Sequence, residues 1–437
     1  MLRPCIIAFL FHGLILIIPL TAHGQLSSPS ASPSSGSVES APTFDPAAAT
    51  RAWLATVPAD ERAKSDAYFE GGYWLLLWNF LLAAAISFLL LGSHISARLR
   101  DFVERRTSFK NAQVVLYALP YLVIAWVLSF PLNVYQYFWR EHQYGMATQN
   151  FSQWFGEQLI ALAVGLAFGT VVLLVLYGVF RRAPRTWWVW GAIVAMLFSM
   201  IGLLLAPVYV EPLFNTYKPI DGPAVKEPIL AMARANQIPV TQVFAVDASR
   251  QTKRISANVA GFLGTTRIAL NDNLLNQCTL PEIREVMAHE MGHYILNHVA
   301  KLLAYLVITL FVVFALTRII FDAAVRRWGE RWGVRGIADP AGMPLLALIL
   351  SAFVFLLTPF SNTVVHVTER EADAFSINTA REPDSMASVA LKLGAYRKLD
   401  PGPLEEFIFF DHPSGRARIR MAMDWKAAHL PAGETPR

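Results

Sequence analysis

The chain has 437 residues, 54% of them hydrophobic and only 16% charged, with a formal net charge of +5. That composition is too apolar for an ordinary soluble domain and predicts a membrane protein. The excess Lys and Arg lie in short segments beside long apolar runs rather than in a stripe interleaved with aromatics, which excludes a nucleic-acid partner. Two cysteines, Cys5 and Cys278, exclude a disulfide framework or a cysteine metal cluster.

Residues 1–24 combine a short charged start, an apolar run from Cys5 to Leu20 and small residues at Ala22-His23-Gly24. This is the pattern of a signal peptide, with an uncleaved first transmembrane helix as the alternative. Residues 25–71 are expected to be a flexible linker, Ser-, Pro- and Ala-rich from Ser27 to Thr50, with helical spacing between Asp45 and Glu70. Six apolar runs follow, each long enough to span a bilayer: Tyr73 to Leu91, Val114 to Asn133, Leu159 to Phe180, Trp187 to Tyr209, Leu302 to Ile320 and Met343 to Phe360.

The first four runs define a transmembrane domain over 72–210, in which Pro120 and Pro131 are expected to kink the second helix. The last two form a hairpin over 302–361. Polar stretches at 211–301 and 362–424 flank that hairpin, so they emerge on one side of the membrane as the halves of one soluble domain. Residues 425–437 read as a flexible tail. The predicted fold is mainly α, a polytopic helical bundle with a polar domain split around its last hairpin.

Orientation follows from Lys and Arg in the short loops. Twelve lie on one side, in the loops between the first and second, third and fourth, and fifth and sixth runs; the other side has four, Arg51, Arg62, Lys64 and Arg140. The basic side is expected to be cytoplasmic, which places the polar domain on the exported side, as the N-terminal signal also does.

The chemistry is carried by His289-Glu290-Met291-Gly292-His293, which puts two imidazoles at i and i+4 on one helix face with a carboxylate beside them. Leu280-Pro281-Glu282 reads as the start of that helix, which is expected to run on from Ile283 to Val299. A catalytic zinc needs three protein ligands and an open position. His298 as the third would require Gly at 296 and His at 299, where the chain has Leu296 and Val299, so that class is excluded. Glu369 and Asp373, also at i and i+4, are better placed: Glu369 as ligand, Asp373 as acceptor for the ring N–H of a ligating histidine, with Glu371 pointing away as a surface group.

These two motifs, together with His412-Pro413 and Arg418, resemble the type I CAAX prenyl endopeptidase family of integral-membrane zinc proteases, and more distantly the HtpX-like proteases. Tyr144-Gly145 with Gln149, Glu211 to Asn215, Ser256-Ala257-Asn258 and Arg267 to Asp272 share in the likeness. The resemblance implies a gluzincin-like zinc metallopeptidase domain holding one Zn2+ on His289, His293 and Glu369, with Glu290 as general base. It also implies that His412 and Arg418 bind substrate or the oxyanion, and that Asn258 lies on an edge strand that holds the substrate backbone. Taken alone, His412-Pro413 reads as a turn and Arg418 as part of the basic run from Arg416 to Arg420.

In that family the metal domain is cytosolic, whereas the loop charges here point to the exported side of a bacterial inner membrane, so prenylated CAAX substrates are not expected. The function predicted is a zinc metalloendopeptidase acting on membrane-associated, lipidated or misfolded polypeptides beside the bilayer. A transporter or a non-catalytic membrane chaperone with a structural metal is the alternative, disfavoured because the six runs carry almost no ionisable groups.

Overall fold

The computed structural model describes residues 44–260 and 267–429. The signal segment, Cys5, residues 25–43 of the linker and residues 430–437 of the tail lie outside the described residues.

Residues expected as the end of the linker are helical and packed. Asp45 caps α1 (Pro46–Ala55), its carboxylate accepting from the Ala47 N–H at 2.8 Å. Leu54 then enters a cluster with Ile377, Met386, Ile419 and Met423 from the far end of the chain. Helix α2 (Ala59–Gly92) begins two turns or more before the apolar run. At 34 residues it is about 51 Å long against a hydrocarbon core of about 30 Å. Its polar N-terminal part therefore stands clear of the bilayer, where Glu70 meets Lys398 at 2.6 Å and Arg62 meets Asp400 at 3.4 Å. The apolar spacing from Asp45 onward was the signal for this segment, and tertiary packing makes it ordered.

The short helix α3 (Ile95–Arg106) lies on the opposite end of the bundle and is fixed by polar contacts. Ser96 donates to the Ala341 carbonyl at 2.7 Å, and buried Arg100 reaches Asp339 at 2.6 Å. Helix α4 (Lys110–Gln143) continues through Pro120 and Pro131, with a π-helical turn at Tyr135–Trp139 just after the second proline. Helix α5 (Phe151–Arg182) starts from a capping box of Asn150 and Gln153. Helix α6 (Trp187–Leu213) crosses back.

The polar domain opens with a four-stranded sheet, β1 (Tyr217–Pro219), β2 (Val243–Val246), β3 (Ala257–Ala260) and β4 (Arg267–Asn271), in the order β1-β2-β4-β3. β2 and β4 are parallel, their neighbours antiparallel, and β3 forms an edge. Helices α7 (Pro223–Ala235), α8 (Asp272–Gln277) and α9 (Leu280–Ile295) pack on it around Ile229, Ile268, Leu270, Leu274, Met287 and Met291.

Helix α9 ends earlier than the sequence suggested. Asn297 adopts the left-handed conformation (φ 55°), a region Asn tolerates better than most residues, and α10 (His298–Trp332) leaves from it into the membrane. In the membrane core α10 meets α6 where Gly191 leaves room: a Cβ there would lie 2.7 Å from the Phe314 ring.

The sixth expected span is broken. Helix α11 (Met343–Leu356) and α12 (Thr358–Ala380) are bent by 51°. Pro359, in the first turn of α12, has no N–H to continue the ladder and would crowd the carbonyl four residues back. Helices α13 (Pro383–Leu393), α14 (Pro403–Phe409) and α15 (Gly415–His429) complete the domain, and α15 takes in residues 425–429 of the expected tail. Among the described residues five helices are long and apolar enough to span, or six with the bent pair.

Two substitutions test this packing. Asp339→Ala strips Arg100 of its buried partner but leaves Asp101, 2.7 Å away; a loss of about 2–3 kcal/mol is expected in detergent unfolding. Glu285 is buried between α9 and α12, accepting from Ser376 Oγ at 2.5 Å, and burial, helped by Asp373, pushes its carboxyl up to about 7. The folded state thus holds this proton more tightly than the unfolded chain, and stability falls as pH rises from about 4.5 through about 7. Glu285→Gln removes that dependence. Its melting temperature relative to the parent should rise between pH 5 and pH 8, by an amount that corresponds to at most about 3 kcal/mol.

Candidate metal centre

Helix α9 presents the histidines. Thr279 N–H donates to Glu282 Oε2 at 2.7 Å at its start, and Glu282 is held in turn by Lys392 at 2.7 Å. The helix then crosses α12 closely because residue 292 is glycine: a Cβ there would lie 3.1 Å from the Phe375 ring and 3.3 Å from the Ala372 Cα. That crossing sets Glu369 and Asp373 of α12 against His289 and His293.

The sequence-predicted ligands come together. His289 Nε2 lies 3.1 Å from Glu369 Oε2, His293 Nε2 lies 3.4 Å from Glu369 Oε1, and the two Nε2 atoms are 3.1 Å apart. One ligand atom from each of the three residues falls within a 4.8 Å circle of mutual distances. Nitrogen and oxygen donors at bond lengths of about 2.0–2.1 Å around a tetrahedral zinc stand about 3.3 Å from one another, so the set fits that ion. Glu369 Oε2 supports the fit: it is buried and has no hydrogen bond among the described residues, although imidazole nitrogens of His289 and His412 each stand 3.1 Å away. An acceptor so placed calls for a cation.

Supporting contacts surround the three. Asp373 Oδ1 takes His289 Nδ1 at 2.9 Å, the arrangement that leaves Nε2 free as a ligand. Arg418, buried in α15, donates from Nε to Asp373 Oδ2 at 2.8 Å and brings Nη2 to 3.5 Å from Glu369. Its guanidinium therefore braces the two carboxylates from behind. His412 sits between Asp411, 2.7 Å from its Nδ1, and Glu369.

Electrostatics separate the histidines. Burial opposes charge on His289, but the contact of its Nδ1 with Asp373 and the adjacent negative charge of Asp373 and Glu369 overcome it and raise the imidazole to about 10, the response of a site with surplus negative charge. Burial and the neighbouring His289 push His293 down to about 4, which keeps it neutral. Glu290 is surrounded closely enough that burial lifts its carboxyl to about 7, against the pull of His289. Asn258 lies on edge strand β3 beside α9, paired through its backbone to Ala269, and its side-chain Oδ1 is buried without a hydrogen bond among the described residues.

His298 was missed as a contributor. It is 1% exposed, its Nδ1 2.8 Å from His293 Nδ1 and its Nε2 3.0 Å from Glu371 Oε2. Glu371, read from the sequence as a surface group, is half-exposed but holds both His298 and Lys301. Helical spacing could not find this pair, because the left-handed Asn297 breaks the helix between the two histidines. Asp411 was also missed, and its only signal is adjacency to His412.

The remaining shared motifs join the membrane bundle to the polar domain. Glu211 accepts from Tyr217 at 2.6 Å and Arg267 at 3.0 Å. Gln149 and Gln251 both donate to Glu157 of α5, at 2.6 and 2.8 Å, and Ala147 bridges to Thr252.

Comparison with known proteins agrees with this architecture. Residues 219–426 match peptidase family M48, and residues 49–216 match the CAAX prenyl protease N-terminal region, described as five membrane helices. The uncharacterized metalloprotease YhfN of Bacillus subtilis (strain 168) is 28% identical over 83% of this chain and 85% of its own length. CAAX prenyl protease 1 of Saccharomyces cerevisiae (strain ATCC 204508 / S288c) is 23% identical over 68% of this chain and 69% of that protein. The crystal structure of S. mikatae Ste24p shares the fold, with a TM-score of 0.72 and 20% identity over 84% of this chain and 90% of that one. These matches disfavour the transporter and chaperone readings, and the chain belongs to the M48 metallopeptidases of the CAAX prenyl protease type, integral-membrane metalloendopeptidases.

Proposed function

We propose that the protein is a zinc endopeptidase that cuts membrane-associated, lipidated or misfolded polypeptides at a single metal site facing the exported side of a bacterial inner membrane. The observation that carries this is the convergence of His289, His293 and Glu369, from two segments separated by a membrane hairpin, around the orphaned Glu369 oxygen.

His289 and His293 would hold one zinc through Nε2 and Glu369 through its carboxylate. Zinc bound there supplies a Lewis acid for the scissile carbonyl and acidifies a water. Glu290, lifted to about 7 by burial, is matched to take a proton from the attacking water and return it to the leaving nitrogen near neutral pH. His412, with Asp411 on its Nδ1 and its Nε2 facing the same Glu369 oxygen from the α15 side, would donate from Nε2 to the developing oxyanion in its imidazolium form. Arg418 serves by holding Asp373 and Glu369 in register, and its charge offsets theirs. Edge strand β3 offers a substrate backbone its free side, and Asn258 lies on that strand.

The substrate class rests on position. Only Leu296 and Asn297 separate the histidine helix from membrane helix α10, so the site stands at the bilayer boundary, where a chain tethered to lipid is concentrated. The name carried by the yeast relative does not transfer a prenylated substrate to a protein whose loop charges favour the exported side.

Glu290→Gln should keep its zinc and lose about 10²–10⁴ in kcat on a casein or lipopeptide substrate; cleavage at the parent rate would sink the reading. Treatment with a zinc chelator should abolish cleavage, and added Zn2+ should restore it. The orientation is tested separately by a reporter fused after Arg437, in the periplasm-active and cytoplasm-active forms of one enzyme. Activity from the periplasmic form is expected, and activity from the cytoplasmic form alone would reverse the assigned side while leaving the chemistry intact.

A further inference from the structure

We propose that His298 is a positioning residue for the metal centre, fixing the tautomer of His293 through a relay of two imidazoles that ends on Glu371. The inference rests on the reading of His293 as a metal ligand and extends it to residues outside the ligand set.

The geometry defines one chain of hydrogen bonds: His293 Nδ1 to His298 Nδ1 at 2.8 Å, His298 Nε2 to Glu371 Oε2 at 3.0 Å, and Lys301 Nζ to the same oxygen at 2.6 Å. Two neutral imidazoles have one N–H each, and the far end decides where both protons sit. The Glu371 carboxylate has only lone pairs to offer and accepts from Lys301, so His298 must present its N–H from Nε2. Its Nδ1 is then an acceptor, and the facing His293 Nδ1 must be the donor. The lone pair of His293 is left on Nε2, which points at Glu369 and His289. Reversing either bond would set the lone pair of His298 Nε2 against a carboxylate and put a proton on the ligating nitrogen.

His289 achieves the same end by another route, with Asp373 directly on its Nδ1. The difference follows from charge. Glu369 and Asp373 already place two carboxylates against the histidines, and a third in contact with His293 would add repulsion in a buried site. Inserting a neutral ring moves the third carboxylate out to the half-exposed position 371, where Lys301 offsets it.

The relay also has a mechanical side. His298 and Lys301 begin α10 and Glu371 lies on α12, the helices that precede and follow the turn of the hairpin. His298 can meet both partners because the left-handed Asn297 turns the chain between His293 and α10. The orientation of one proposed ligand is thereby tied to the packing of the membrane hairpin.

The test is zinc affinity of the purified full chain in detergent, measured by competition with a chromogenic chelator. His298→Leu should bind zinc about 10–100-fold more weakly, a loss of the size expected for Asp373→Ala. His298→Asn, whose amide oxygen can stand in for Nδ1, should stay within a few-fold of the parent. Parent affinity in a folded His298→Leu variant overturns the relay, as does an equal loss in the Asn variant. Should the Leu variant fail to fold, Glu371→Ala decides at an exposed position: a loss of at least about threefold is expected, and parent affinity overturns the relay. Failure of the underlying reading has its own signature, since then the parent would bind no zinc or His293→Ala would bind it as well as the parent.

Discussion

The close crossing of α9 and α12 is the constraint on which the rest depends. Gly292 lets the two backbones approach until Ala372 and Phe375 fill the gap, and only at that distance can a glutamate on one helix share an ion with histidines on the other. Between the two helices the chain passes through α10, a turn and α11. The centre cannot assemble before the hairpin is inserted and folded, because its carboxylates are delivered by helix α12 on the returning side of that hairpin. Catalytic competence is thus coupled to membrane insertion by connectivity.

A second demand comes with burial. Glu369 and Asp373 lose water on entering the α9–α12 interface, and two desolvated carboxylates so close would repel. Arg418 answers from one side, reaching both acids from α15, and on the other side His289 and His293 form with Glu369 a donor set that could hold a metal ion. Helix α15 is in turn held by α1, through the cluster of Leu54, Ile419 and Met423. The segment that reads as linker is therefore part of the frame that keeps Arg418 in the centre.

The elements legible in the sequence are those set by local period. The i, i+4 spacing of His289 with His293 and of Glu369 with Asp373 survives in the structure, because both pairs sit within uninterrupted helix. The apolar runs likewise mark the spans, since a bilayer imposes length on any helix that crosses it. What was not legible depends on single residues or on distant partners. Asn297 carries no strong signal for a helix break, yet its left-handed backbone ends α9 four residues early and brings His298 under His293. Pro359 lay at the end of an apolar run long enough to span, and the consequence of its missing N–H is a bend of 51° rather than a loop. The order in residues 46–71 comes from partners more than 300 positions away, such as Asp400 for Arg62, and no local pattern reports them.

The loop charges illustrate how one residue can serve two constraints. Arg100 and Arg335, both counted toward the basic side, also hold the turn of the hairpin: Arg100 through Asp339 and the Gly333 carbonyl, Arg335 through Glu104 at 3.0 Å. On the other side Arg140 is stacked over the Tyr68 ring and donates to its carbonyl, so it too has a structural occupation. Setting these three aside leaves ten basic residues against three, and the asymmetry keeps its sign. The positive charge at that face therefore exceeds what packing of the hairpin turn requires. An excess of this kind, confined to short loops at one end of the bundle, is what the insertion machinery reads, and it is the ground of the proposal that the metal domain is exported.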